Sequence, residues 1–380
     1  MTQAQTAEHV PVAAAVARPR ARWVDDLLVS VFGVWAVLGT VLDSWAHFSG
    51  RVDSFFTPWH AVLYSGTFAM VGWLVWTAWR CRGPVSSGGP AATVGSARAP
   101  SGRGTVPPEP PGAGRQGLPV GYGIGLVGVA MFLVGAAGDL TWHTILGIEV
   151  NLDGAFSPTH LTLILAGWLL FTTPFRSAWA APGTQAPLPA LLALLNVEVL
   201  LAMATSWAAA WGNLGPTLPI HQPAESGTIE GYITEHAIVS VLVTSLVMLG
   251  PVLLALRRWH LPFGTVTLLF TAFALAQAKV HASEGAVAIV VAAATLGGLT
   301  ADALIALPAS ALNARTRDLL VAVVTPLVTW SAWLLVLAAD QGRFSWTPAL
   351  STGTVVIAAL GGLGLHLLLW PSPLQVSMRR

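Results

Sequence analysis

The chain of 380 residues predicts an all-α, polytopic integral membrane protein: about ten transmembrane helices in repeated hairpins, with both termini cytoplasmic. Three observations lead there. The first is composition, 54% hydrophobic and 9% charged with a mean hydropathy of +0.68, where soluble domains carry about 25% charged residues. The second is blocking: the apolar residues come in runs of about 20 or more, enough to cross a bilayer. The third is charge placement. With the N-terminus inside, fifteen of the eighteen Lys and Arg residues fall on one side of the ten runs, leaving only Arg51, Lys279 and Arg343 on the other. Cytoplasmic loops carry such an excess, and a missed or extra span would scramble it. The expected location is the cell membrane, multi-pass.

Taken in order, the expected spans are 27–49, 57–80, 118–147, 157–179, 187–211, 231–257, 262–282, 285–307, 318–340 and 347–370. Residues 1–26 are polar and rich in Ala, Pro and Arg; they read as a disordered cytoplasmic tail rather than a cleavable signal. Residues 27–81 make a first transmembrane hairpin. Residues 82–117, rich in Pro, Gly, Ser and Ala, cannot bury a core and read as a disordered cytoplasmic loop. Residues 118–180 make a second hairpin, 181–370 hold six further helices, and 371–380 form a cytoplasmic tail. Several of the seventeen Trp residues lie at run ends, where the membrane interface favours them.

A net charge of +1 gives no nucleic-acid surface. The single cysteine, Cys81, excludes a disulfide framework and a thiolate metal cluster within the chain. The acidic residues and seven of the ten histidines instead collect at the ends of the runs on the extracytoplasmic side. Chemistry is therefore expected on that face.

One stretch there occurs twice. Asp43-Ser-Trp-Ala-His47 is followed by Asp53, Thr57-Pro58 and His60. Asp139-Leu-Thr-Trp-His143 is followed by Asp153, Ser157-Pro158 and His160. Both read D-x-x-x-H, a short loop with Asp, then [ST]-P-x-H. Phe344–Gly353 resembles Phe55–Gly66 but has Leu350 in place of the histidine, so a third hairpin keeps the design without the ligand. Thr234-Glu235-His236 also sets a histidine at the start of a helix. Parallel repeats occur in transporters too, so the repeat alone does not choose a function.

The spacing carries chemistry. Residues four apart on a helix share a face one turn apart, which pairs Asp43 with His47 and Asp139 with His143. Ser or Thr followed by Pro is a helix start, which puts His60 and His160 on the first turn of the next helix. A short loop makes the two helices neighbours, so each set of three can converge. Two histidines and a carboxylate are a recurrent metal-binding set with open positions. Asp43 and Asp139 lie about one turn inside the apolar run, where an unpaired carboxylate costs roughly 2.5–3.5 kcal/mol. Scarce Met and Cys argue against a copper(I) carrier; Cu(II), zinc, iron and manganese fit the donors. The competing reading is plain carboxylate–imidazole pairing or a proton path.

Asp53 and Asp153 lie in the loops and read first as solvated carboxylates, with orienting a ligand histidine as the alternative. Glu235, His236, His281 and Glu284 are candidates for the second shell or for an additional site. Glu198 in mid-run and Asp302 toward an inner end offer a polar path of the kind a transporter needs. His366 is read as packed, and Lys279 as reaching to the interface.

The motif resembles the copper-site hairpin in the C-type membrane subunit of the copper membrane monooxygenases, the methane and ammonia monooxygenase family. That subunit has an Asp, a His four residues later and a second His thirteen residues after that. Asp43, His47 and His60 match this spacing; Asp139, His143 and His160 match the residue types with seventeen residues in the second step. The likeness covers about twenty residues, twice; ten helices, two similar hairpins and no obvious partner subunits depart from that family's pattern. It implies copper that activates dioxygen to oxidise an apolar substrate. The expected partners are the lipid bilayer, a lipid-soluble substrate, and partner membrane subunits or a homo-oligomer. The rival functions are a transporter or metal-handling permease and, third, a metal-dependent lipid hydrolase.

Overall fold

The structure, a computed structural model, describes residues 18–51, 57–81, 117–147, 151–213, 215–218, 227–281 and 284–371. These are helical, with a lone bridge between Gln185 and His260 and no strand among them. In chain order the helices are α1 (Trp23–Phe48), α2 (Pro58–Arg80), α3 (Tyr122–Leu146), α4 (Asn151–Phe156), α5 (Pro158–Phe171), α6 (Thr173–Trp179) and α7 (Leu188–Ala204). After three 3-10 turns follow α8 (Ile229–Leu256), α9 (Thr265–His281), α10 (Glu284–Ile305), α11 (Ala314–Gln341) and α12 (Pro348–Leu369). Eight helices among the described residues are long and apolar enough to cross a membrane, counting α5 and α6 as one. The runs expected at 187–211 and 262–282 form shorter apolar helices, α7 and α9. Most of 1–26 and 82–117 and all but residue 371 of the last tail lie outside the described residues.

The helix of the fifth run, α7, ends at Ala204, and three 3-10 turns follow, Ser206–Ala208, Ala210–Gly212 and Gly215–Thr217, with Ala208, Ala210, Trp211, Gly215, Pro216 and Thr217 buried. Irregular backbone survives at membrane depth when protein covers it. Here Ala210 N donates to Thr244 Oγ1 at 3.4 Å, Ser345 N donates to Pro216 O at 2.8 Å, and Trp211 stacks on Trp330 at 4.6 Å.

The first helix starts at Trp23, four residues before its expected span, because Asp25 and Asp26 belong to its first turn. Carboxylates suit that end of the helix dipole, and both are paired. Asp25 Oδ2 takes Arg22 Nε at 3.0 Å and Arg80 Nη2 at 2.5 Å. Asp26 accepts from Tyr122 Oη at 2.9 Å and Ser177 Oγ at 2.8 Å. One buried carboxylate thus ties α1 to α3 and α6.

Each of the two motif-bearing hairpins is a close helix pair: α1 lies along α2, and α3 along α5. α7 packs against α1 and α9, and the chain closes through α10, α11, α12 and back to α8. In the first hairpin glycine sets the spacing. A Cβ on Gly39 would stand 2.4 Å from Leu63 Cα, and one on Gly66 would stand 2.5 Å from Ala36 N. In the second, a Cβ on Gly135 would stand 3.0 Å from Leu163 Cδ2. Small residues let membrane helices approach this closely.

Candidate metal centres

These glycines sit directly under the polar sets. Gly39 is one turn before Asp43, and Leu63 is three residues after His60; Gly135 and Leu163 stand in the same places relative to Asp139 and His160. The repeat is therefore longer than the ligands alone suggest: G-x-x-x-D-x-x-x-H on the first helix, H-x-x-L on the second. The signal is in the sequence, but only the structure shows that the glycine holds the helices together one turn from the site.

Thr57 and Ser157 take the N-cap positions with extended backbone, and Pro58 and Pro158 open their helices. Ser157 Oγ accepts from His160 N at 3.3 Å. The histidines then fall on the first turn, turned toward the preceding helix. Asp43, His47 and His60 offer ligand atoms all within 4.8 Å of one another, and so do Asp139, His143 and His160. In the first group Asp43 Oδ1 lies 3.7 Å from His47 Nε2 and 2.9 Å from His60 Nε2. In the second, Asp139 Oδ2 lies 3.4 Å from His143 Nε2, and Oδ1 lies 3.4 Å from His160 Nε2. Ligands about 2.0 Å from a tetrahedral ion are about 3.3 Å apart, so these spacings bracket what one ion needs. The two sets are separate groups rather than one six-ligand centre.

The second group also shows how its rings are oriented. His143 Nδ1 lies 3.2 Å from Gly147 O and His160 Nδ1 lies 2.5 Å from Gly154 O. A carbonyl only accepts, so both Nδ1 atoms carry the proton and donate. In a neutral ring that leaves a lone pair on Nε2, aimed at a carboxylate oxygen. Lone pairs facing at 3.4 Å repel unless a cation stands between them. Histidines that bind metal are held this way, with the far nitrogen donating to a backbone carbonyl. In the first group, Asp43 Oδ1 is buried and makes no hydrogen bond among the described residues. Its 2.9 Å contact with His60 Nε2 lacks hydrogen-bond alignment. His60 also stacks on Tyr64, with centroids 5.4 Å apart. Both sites are half-buried, and three ligands leave coordination positions open.

Of the other expected residues, Asp153 lies exposed on α4 and belongs to neither group; the carbonyl of the neighbouring Gly154 meets His160 Nδ1. Asp53 lies outside the described residues. Glu235 and His236 are exposed on α8, where His236 Nδ1 meets Asn213 Nδ2 at 3.2 Å, and neither joins a group. His281 ends α9 and Glu284 opens α10. Asp302 caps a neighbouring helix. It accepts from Val266 N at 3.1 Å, Thr267 N at 2.9 Å and Thr267 Oγ1 at 2.6 Å, capping α9 from α10. His366 is packed, stacked on Trp370 at 4.6 Å.

One site residue went unnoticed in the sequence. Thr159 Oγ1 donates to Asp139 Oδ1 at 2.9 Å. It also lines a recess of 450 Å³ on the flank of α3, walled by Ala137, Gly138, Thr141, Trp142, Ile145 and Leu146. The Thr141 hydroxyl donates to Ala137 O at 2.8 Å and that of Thr159 to Asp139, so the recess offers neither hydroxyl proton to a ligand. No family model, characterised protein or solved structure matches this chain.

Proposed function

We propose that the protein is a ten-span membrane metalloprotein with both termini cytoplasmic, and that its two Asp/His/His centres face the extracytoplasmic side. The charge asymmetry supports the topology. The observation that carries the metal reading is the second centre's geometry: two Nδ1 protons spent on carbonyls, two Nε2 atoms turned to one carboxylate. A single divalent ion satisfies all three groups at once, where protons alone would have to fill both contacts with two added protons.

Copper is the preferred ion and oxidation the preferred chemistry; zinc and iron suit the same donors. Copper held there would supply dioxygen activation at its open positions. The protein's own residues hold the ion, fix the ring orientations and keep the reacting face against an apolar recess. The substrate is a small apolar molecule arriving from the bilayer, since the recess beside Thr159 has its hydroxyl protons already engaged. The overall reaction would place one oxygen atom of dioxygen in a C–H bond and release the other as water, with two electrons and two protons from an external reductant. The resemblance to the copper-site hairpin of the membrane monooxygenases points the same way.

The test is dioxygen consumption by the copper-loaded protein with a quinol reductant and a panel of short hydrocarbons. Oxygenated product that disappears in His143→Ala is expected. A chain that retains zinc and oxidises nothing would overturn the oxidative reading. The transporter reading keeps one observation: Glu198 is fully buried in α7, and neither of its oxygens has a hydrogen bond among the described residues.

A further inference from the structure

We propose that the two centres are not equivalent: Thr159 makes the second a tight, slowly exchanging site, and Trp59 in the matching place leaves the first weaker and exchangeable. This rests on the metal reading above. Thr159 and Trp59 both follow the helix-opening proline and immediately precede a ligand histidine.

In the second centre a directed chain of hydrogen bonds runs through Thr159. His160 N donates to Ser157 Oγ at 3.3 Å. Ser157 Oγ lies 3.1 Å from Thr159 Oγ1, which donates to Asp139 Oδ1 at 2.9 Å. Each hydroxyl has one proton, and Thr159 spends its own on Asp139. Ser157 must therefore donate to Thr159, and every link points toward the carboxylate. Such chains polarise each bond in the same sense. Asp139 is thereby held in its ligating orientation from the first turn of α5, which also carries His160. With both imidazoles fixed by carbonyls, all three ligands are oriented before an ion arrives.

The first centre lacks this relay. An indole has one N–H and no acceptor, so Trp59 cannot pass a hydrogen bond from the cap to the carboxylate. Consistent with that, Asp43 Oδ1 is buried with no hydrogen bond among the described residues. Apart from the two imidazoles 2.9 and 3.7 Å away, nothing among the described residues holds that oxygen, so ordering it on ion binding lowers the affinity. Outer partners of this kind are worth about 10–100-fold in metal affinity.

The experiment uses full-length single-site proteins: His47→Ala, which keeps the second centre, and His143→Ala, which keeps the first. Each is loaded with Cu(II) and titrated with a competing chelator. His47→Ala is expected to hold copper about 10–100-fold more tightly than His143→Ala. Adding Thr159→Val to His47→Ala removes the hydroxyl at constant shape; it should weaken binding by a similar factor and shift the Cu(II) hyperfine splitting. Thr159→Ser should restore both, which a merely structural role for the side chain would not require. Equal affinity in the two single-site proteins, or an unchanged affinity in Thr159→Val, overturns the inequivalence. Failure of both proteins to take up copper overturns the metal reading and this inference with it.

Discussion

Gly39 presses directly on Leu63: a side chain on the glycine would put its Cβ 2.4 Å from the Leu63 Cα. The contact is with backbone, so no rotamer change relieves it. One turn farther along α1 stands Asp43, and one turn back along α2 stands His60. The close crossing is what brings a carboxylate from one helix within 2.9 Å of an imidazole from the next.

Gly39→Ala should therefore act on the site and the fold together. Forcing α1 from α2 is an overpacking change, expected to cost about 1–3 kcal/mol. Metal should be lost from the first centre and kept at the second. Thermal unfolding and metal content of Gly39→Ala in the His143→Ala background check this; full occupancy of the first centre there would contradict it.

The Asp26 knot gives a purely structural counterpart. Tyr122→Phe and Ser177→Ala each leave one oxygen of a buried carboxylate without its donor, at a cost of about 1–3 kcal/mol. Both should lower the melting temperature with the metal content of both centres unchanged.

Asp302 separates two functions. As a cap on α9 it satisfies two backbone N–H groups of the first turn, and its loss in Asp302→Ala should cost about 0.5–2 kcal/mol. Metal content and oxidation should persist in the protein that remains folded. A transporter using Asp302 would instead lose transport at unchanged stability.

Much of this was legible in the residues themselves. The helix pairs follow from apolar run lengths, the histidine placement from Ser/Thr-Pro starts, and the triads from i, i+4 spacing across a short loop. The start of α1 was set too late because Asp25 and Asp26 look like tail; only their partners, up to 151 residues away in sequence, show them buried. Asp302 suggested a polar path because a cap supplied by a neighbouring helix leaves no local pattern. Asp153 reads from its type as a solvated loop carboxylate or a partner of a ligand histidine, and it lies exposed; the group that meets His160 Nδ1 is the Gly154 carbonyl, and a carbonyl has no identity in sequence. Thr159 could have been found by setting the two copies side by side, where it stands against Trp59.

The most direct measurement is the metal content of the purified full-length chain by elemental analysis, for the native sequence, His47→Ala, His143→Ala and the double variant. Two ions per chain, one in each single variant and none in the double are expected. A native protein without stoichiometric metal, or single variants that keep both ions, would contradict the assignment of Asp43, His47, His60 and Asp139, His143, His160 as two metal centres.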